Sequence, residues 1–406
     1  MKKAKYLILG AGPAGLTFAS MLKRRGEDSF LILEKEMEAG GLCRSVIVDK
    51  SPFDIGGGHF LDVRRPKVND FLFSFMPEEE WMLFERDSRI MIGGKTVGHP
   101  LESNIWQFDL EEQVAYLSSI AKAGCNSGEK MPEKFVEWIR WKLGEKIAKD
   151  YMLPYNRKMY AEDLNELGVY WLEKLPDVSF EETLRSCLIR RPCGKEPGHA
   201  FFYYPKAFGF GEVWLRIAKE LAPCIYYNTD VEAIDCDRKQ VKAASGEIFG
   251  ADVIVTTIPW AEYKEIRGMP EELMLSIKAL KYNAIETRYY AQNLDTRAQW
   301  IYVPDDDIPF HRILVRHNFC QGSRGYWTET RQERSIGDID AGDTFRFLNS
   351  YAYPLNTIGK PAIVEKLQEY CSTKGIYGLG RWGEHAHHNS DVVVEHAMAL
   401  AERLVI

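Results

Sequence analysis

The feature that most constrains this chain lies at its start. A short apolar run, Ala4 to Leu9, passes straight into Gly10-Ala11-Gly12-Pro13-Ala14-Gly15. A buried strand followed by this glycine pattern and a helix is a nucleotide-binding turn. Gly10 and Gly12 let the backbone turn tightly and approach a pyrophosphate, and Gly15 lets the helix pack on the strand. The helix N-terminus, opened by Pro13 and Ala14, then faces the negative charge. A second apolar run, Phe30 to Leu33, ends at Glu34, where a carboxylate can accept hydrogen bonds from a ribose, with Lys35 beside it. These residues predict a Rossmann-like unit.

The next segment decides between dinucleotides. Gly40-Gly41-Leu42-Cys43-Arg44-Ser45 places a second glycine pair where a loop would cover the pyrophosphate and ribityl chain of FAD, a loop that NAD enzymes do not need. Gly41 and Leu42 therefore join the expected cofactor set, together with Val231 from a later strand. Cys43 reads as a small residue filling space, since no resolving cysteine lies near it in sequence.

With 406 residues, 45% hydrophobic content and a formal charge of -7, the chain can bury a large core, and its mild acidity argues against a nucleic-acid surface. No apolar stretch reaches the length of a membrane span, and the basic Met1-Lys2-Lys3 leads into the first strand rather than a cleavable signal, so a cytoplasmic protein is expected. The eight cysteines are scattered without a CxxC unit. His385, His387 and His388 lack an accompanying carboxylate or cysteine spacing, so no metal is expected.

Along the chain the pattern is helical from Glu111 to Tyr160, where Trp138, Ile139, Trp141, Leu143, Ile147 and Tyr151 recur at three- and four-residue intervals. Strand patterns return at Ile225 to Ile258 and again between Thr287 and Phe347, and Gly375 to Gly383 ends a further strand. A terminal helix from Val392 to Leu404 is capped by Asn389, Ser390 and Asp391, whose unpaired amides would face an acceptor on the flavin.

Several segments together resemble the UDP-galactopyranose mutases, within the wider group of protoporphyrinogen-oxidase-like and amine-oxidase-like flavoproteins, over nearly the whole chain. Phe53-Asp54-Ile55-Gly56-Gly57-Gly58-His59 is similar to that family's glycine-histidine loop, which implies that Gly58 and His59 lie beside the flavin. Gly98 to Ile105 with Leu110-Glu111-Glu112-Gln113, and Pro154-Tyr155-Asn156 with Lys158, resemble stretches of the eukaryotic-type mutases, as Tyr204-Pro205-Lys206 resembles a loop of the wider group. Ile308-Pro309-Phe310-His311-Arg312-Ile313 is similar to the segment whose arginine grips the substrate diphosphate, and Tyr353-Pro354 to one whose tyrosine reaches the same group. Arg381 matches the arginine that contacts the cofactor.

The resemblance implies an α/β fold: a GR2-type Rossmann-like FAD-binding domain with an inserted helical domain and an antiparallel sheet domain for substrate. The expected boundaries are 1–65, 200–262 and 354–406 for the first, 100–185 for the second, and 80–99 with 263–353 for the third. It also implies an isomerase that contracts a sugar ring without net oxidation, through covalent catalysis at N5 of reduced FAD. Arg312, Tyr353 and His387 would then hold the diphosphate, His59 would tune or pack against the flavin, and Tyr155, Asn156, Arg157 and Tyr160 would line the substrate pocket. Electrons would come from NAD(P)H or a separate reductase, and a homo-oligomer fits the family.

Three positions depart from the pattern: His387 stands where the family carries a tyrosine, Leu153 where fungal-type mutases carry an arginine, and Tyr160 where tryptophan is usual. Arg157, Arg190 and Arg191 are the arginines that could replace the lost charge. Two other readings keep the same fold: an FAD oxidase or desaturase, which would need an apolar tunnel and no diphosphate clamp, and an FAD-binding scaffold without catalysis.

Overall fold

The apolar run at the start forms strand β1 (Lys2–Leu9), buried from Tyr6 onward, and Pro13 opens helix α1 (Pro13–Arg24), which returns antiparallel to it and leads to strand β2 (Phe30–Leu33). β1 is paired in parallel on both sides: with β2 from Tyr6↔Phe30 to Leu9↔Leu33, and with the strand Ile248–Thr256 from Lys2↔Phe249 to Leu9↔Thr256. Parallel strands buried on both faces read as continuous apolar runs, as these do. The computed structural model describes residues 1–172, 177–194, 200–335 and 343–404.

Around this centre the Rossmann-like sheet has eight strands. Ile225–Tyr226 pairs with β2, Ile376–Gly378 pairs with Ile248–Thr256, and an antiparallel extension runs through Gln240–Ala243 to Val231–Asp235, beyond which lies Glu265–Arg267. The sheet thus continues past the expected limit at 262, because Glu265–Arg267 pairs in parallel with Val231–Asp235. Helix Ser390–Leu404 packs on α1, and the Tyr6 hydroxyl donates to the Leu404 carbonyl at 3.0 Å, tying the two ends of the described chain together.

A second, seven-stranded sheet carries Asp343–Pro354, Tyr282–Tyr290, Tyr326–Arg331, Arg312–Leu314, Trp300–Tyr302, Ser88–Ile92 and Lys95–Gly98 in that order. One pairing in it, Trp300–Tyr302 with Ser88–Ile92, is parallel. Trp81–Glu85, expected in this sheet, pairs instead with Phe201–Pro205 in a three-stranded sheet with Leu61–Asp62. Its Trp81 side chain is buried in the core of the Rossmann-like sheet, and burial of a large aromatic outweighs sequence proximity.

The helical stretch forms Leu110–Ala121, Phe135–Ile147, Leu153–Met159 and Phe180–Ile189 around a core of its own. The expected stripe faces that core, although the helix is interrupted at Gly144 (φ 77°) and by a π turn over Ala148–Met152. Ser179 and Glu182 cap the last helix reciprocally. Positions 173–176 and 336–342 of the expected helical and sheet regions lie outside the described residues.

Arg316 joins the two-stranded hairpin of Ser45–Val48 and Ser51–Asp54 to the seven-stranded sheet. Its guanidinium is fully buried and donates to the carbonyls of Val48 (2.9 Å) and Arg324 (2.8 Å) and to the Tyr289 hydroxyl (2.6 Å), with Ser51 and Pro52 carbonyls at 3.3 Å. The Arg316→Met variant strands these buried acceptors. Its unfolding free energy should fall by at least about 3 kcal/mol, read from chemical denaturation, and a loss below about 1 kcal/mol would show that water replaces the donors.

Candidate active site

At the end of β1 the chain turns at Gly10, whose φ of 101° is open to glycine and strained for other residues. Thr257, just beyond the paired strand, donates its hydroxyl to the Leu9 carbonyl at 2.8 Å and closes the turn from below. A Cβ on Gly10 would lie 2.4 Å from that hydroxyl oxygen, and one on Gly15 2.0 Å from the Gly10 carbonyl. Gly12 is different. A Cβ there would meet only the Gly41 Cα, at an ordinary 3.8 Å.

This turn forms one end of a cavity lined by Gly10, Gly12, Pro13, Ala14, Glu34, Lys35, Gly41, Leu42, His59, Val231, Arg381 and Ser390 among others. Four residues of the expected cofactor set do not line it. Gly15 lies beneath the Gly10 carbonyl, and Gly58 packs against the Leu314 side chain. Asn389 precedes the helix and accepts the Val393 N–H at 3.0 Å, whereas Asp391 turns its buried carboxylate to Arg65 at 2.6 Å.

Glu34 accepts the amide of Ala11 at 2.6 Å and that of Glu36 at 2.9 Å, one on each oxygen, so lone pairs remain on both oxygens for ribose hydroxyls. Burial pushes its carboxyl above the usual range, against these two hydrogen bonds. Burial also pushes the Cys43 thiol up to about 12, which leaves it an unreactive thiol lining the cavity.

His59 stands where the cavity meets the second sheet. Its Nδ1 lies 3.0 Å from the Gly57 carbonyl, a distance that assigns the proton to Nδ1, and its ring stacks on Phe210 at 5.9 Å. Burial first, then the Arg381 charge, lowers its pKa to about 4. Arg381 donates to the carbonyls of His388 (3.1 and 3.0 Å) and Ala352 (3.0 Å), and no carboxylate pairs with it among the described residues. Its positive charge is therefore uncompensated where it borders the cavity, which suits an anionic ligand group.

Beyond the glycine-histidine loop lies a second cluster. Arg312 places Nε 2.9 Å from Glu329 Oε2, with Nη2 on the same oxygen and 3.4 Å from the Tyr353 hydroxyl. Tyr353 stacks near His387, centroids 4.6 Å apart, and Tyr160 meets both edge-on at 6.5 and 6.2 Å. Tyr155 lies edge-on to Tyr302 at 5.4 Å and to His311 at 6.0 Å. Arg312, Tyr353, His387, Tyr155 and Tyr160 are thus brought together, and a Cβ on Gly57 would lie 3.9 Å from Arg312 Nη2, so the cluster adjoins His59's loop.

Asn156 and Arg157 do not complete it: Asn156 is buried with its amide on the Met152 carbonyl of the preceding π turn at 2.6 Å, and the half-buried Arg157 side chain has no hydrogen bond or ion pair to a described residue. Leu153 is buried among the aromatic residues of the helical core, and Arg190 and Arg191 are exposed at the end of Phe180–Ile189.

Glu329, absent from the sequence reading, is the dominant charge here. Burial alone would raise its carboxyl, but the Arg312 guanidinium and His311 hold it down at about 2. It directly faces Arg312 across neighbouring strands, a pairing that only the sheet register reveals.

A model of NAD(P)-binding Rossmann-like domains matches residues 8–75. The whole chain superposes on a reduced UDP-galactopyranose mutase with a TM-score of 0.90 and 22% identity, covering 100% of this chain and 94% of that one. It also matches a CLA-producing fatty acid isomerase from P. acnes (TM-score 0.69, 14% identity, 99% of each chain). A putrescine oxidase crystallised with putrescine matches at TM-score 0.65 and 13% identity over 99% of each chain. The protein therefore has the mixed α/β fold of these flavoproteins, a Rossmann-like dinucleotide domain joined to further sheets. Among its solved relatives in shape it resembles UDP-galactopyranose mutase.

Two measurements follow from this geometry. Gly12→Ala should leave the melting temperature of the ligand-free protein within about 2 °C while weakening FAD binding by roughly tenfold or more, because its Cβ intrudes on ligand space and not on protein. Equal binding would place the dinucleotide elsewhere. The His59 ring should stay neutral, its NMR shifts flat between about pH 5.5 and 8, and a titration near 6.5 would contradict its burial.

Proposed function

We propose that the protein is an FAD-dependent nucleotide-sugar mutase, an isomerase that interconverts the pyranose and furanose forms of a UDP-galactose-like sugar without net oxidation. The observation that carries this reading is the convergence of Arg312, Tyr353, Tyr160 and His387 beside the His59 loop of the dinucleotide cavity. The full-length likeness in shape to the reduced mutase supports it.

The cavity residues fit FAD: the Gly10–Gly15 turn and α1 would take the pyrophosphate, Glu34 the ribose, and Arg381 with Ser390 the flavin end. When bound and reduced, FAD supplies at N5 the nucleophile that takes the sugar from its diphosphate. The chain's own part is to orient the sugar and stabilise the leaving diphosphate. Glu329 occupies Nε and Nη2 of Arg312, which fixes the guanidinium and leaves Nη1 for a phosphate oxygen, and the Tyr353 hydroxyl adds a second donor. His59, neutral, positions the flavin end and does not serve as a cationic acid. The helical region 100–185 would wall the pocket through Tyr155 and Tyr160, and electrons would arrive from NAD(P)H or a reductase.

One observation favours a second reading, an FAD oxidase. The charge of Arg312 is already balanced by Glu329, and Leu153 adds no cation, so this cluster attracts a diphosphate less than two free arginines would.

An anaerobic assay of the purified protein with UDP-galactopyranose and UDP-galactofuranose, with and without dithionite, separates the two. Interconversion only in the reduced state is expected. No interconversion in either state, with flavin bleaching by amines, would replace the mutase by the oxidase. Arg312→Lys keeps the charge but loses the fork, and should lower kcat/KM by about 1.5–3 kcal/mol, roughly 10- to 150-fold. His387→Tyr should raise turnover of UDP-galactose, and an unchanged rate would put substrate choice elsewhere.

A further inference from the structure

We propose that Glu384, His388 and His396 form a binding site for a divalent transition-metal ion of the zinc class, joining the loop after Gly383 to the helix Ser390–Leu404. One ligand atom from each of the three lies within 4.8 Å of the others. His396 Nδ1 is 2.8 Å from Glu384 Oε1, His388 Nε2 is 3.9 Å from Glu384 Oε2, and the two imidazole rings meet edge to face with centroids 4.7 Å apart. Zinc bonds of about 2.0–2.2 Å place tetrahedral ligands roughly 3.3–3.6 Å from one another, so side-chain rotations of less than an ångström or so bring these atoms onto one ion.

The donor set suits such an ion. Two imidazoles and one carboxylate are the ligands of many catalytic zinc sites, and they leave a fourth position to water. The surroundings hold the ligands in place. Glu384 Oε2 accepts the Gly380 amide at 2.8 Å, and the backbone of His388 is anchored at its carbonyl by Arg381 and at its amide by the Ala386 carbonyl, 2.8 Å away. Arg65, the nearby cation, is committed to Asp391 and Glu395, so it does not oppose a second positive charge. The three side chains are 24%, 21% and 39% exposed, open enough for an ion to enter.

The neighbouring histidines show why the run of three did not disclose the site. His385 turns to the Lys281 carbonyl at 3.1 Å and His387 packs against Tyr353, so only His388 of the three takes part, and its two partners lie four residues before it and eight after it. The site is independent of the mutase reading. It touches the dinucleotide cavity through His388, whose carbonyl holds Arg381.

The test uses the full chain, stripped with a chelator and then titrated with Zn2+ and, separately, with Co2+. One equivalent of zinc should survive desalting, and Co2+ should give visible ligand-field bands of a low-coordinate nitrogen and oxygen site. His396→Gln and Glu384→Gln should each weaken zinc binding by more than the roughly 10- to 100-fold that loss of an outer-shell partner costs. Both positions are partly exposed, and circular dichroism checks that the variants fold. Substoichiometric zinc, or zinc binding indifferent to both substitutions, would mean an adventitious ion only and overturn the proposal.

Discussion

Everything at the candidate site rests on the parallel pairing of β1 with Ile248–Thr256. The register that sets Leu9 against Thr256 also delivers Thr257 beneath the Gly10 turn, where its hydroxyl clamps the Leu9 carbonyl. From the other side, the Leu33 carbonyl accepts the Gly10 amide at 2.8 Å and Glu34 accepts that of Ala11, so the turn is held between β2 and Thr257. The same strand receives Ile376–Gly378 on its own account, which carries Arg381 and the helix Ser390–Leu404 to the far end of the cavity. Three distant stretches of chain are thereby held to one ligand-sized space by the two hydrogen-bonded ladders on either side of Ile248–Thr256.

The two guanidiniums near His59 are held in opposite ways. Arg381 is held by carbonyl dipoles and keeps its full charge, whereas Arg312 spends two of its donors on one buried carboxylate oxygen. Desolvation makes both expensive, and the second is tolerable because Glu329 shares its burial. The buried nitrogens of His311 and the second oxygen of Glu329 have no hydrogen-bond partner, so polar capacity is left over beside the aromatic walls. A ligand that donates to Glu329 as well as accepting from Arg312 would use it.

The Rossmann-like start was legible because its signals are local: an apolar run, glycines at fixed offsets and an acid one strand later all act within a few residues of one another. The aromatic stripe from Trp138 to Tyr151 was legible for the same reason, as a periodicity. What could not be read depends on register between strands far apart in sequence. Glu329 meets Arg312 only because Tyr326–Arg331 lies beside Arg312–Leu314 at one register of several, and nothing in the residues around it marks it as buried. Asp391 looked like a cap facing the cofactor, and Arg65, distant in sequence, draws its carboxylate away. Trp81–Glu85 changed sheets because the burial of one tryptophan outweighs adjacency in the chain.

The union of α1 with Ser390–Leu404, and of Tyr6 with Leu404, has a consequence for how the molecule comes into being. Along the chain, β1, α1 and β2 are separated by the helical region from the strand Ile248–Thr256 that flanks β1, and by both inserted regions from the helix that covers α1. Until that last helix docks, the apolar face of α1 lacks part of its cover, while the helical region around Trp138, whose contacts are close in sequence, can form at once. The dinucleotide domain therefore closes through contacts between stretches far apart in sequence, and its assembly is the slower of the two.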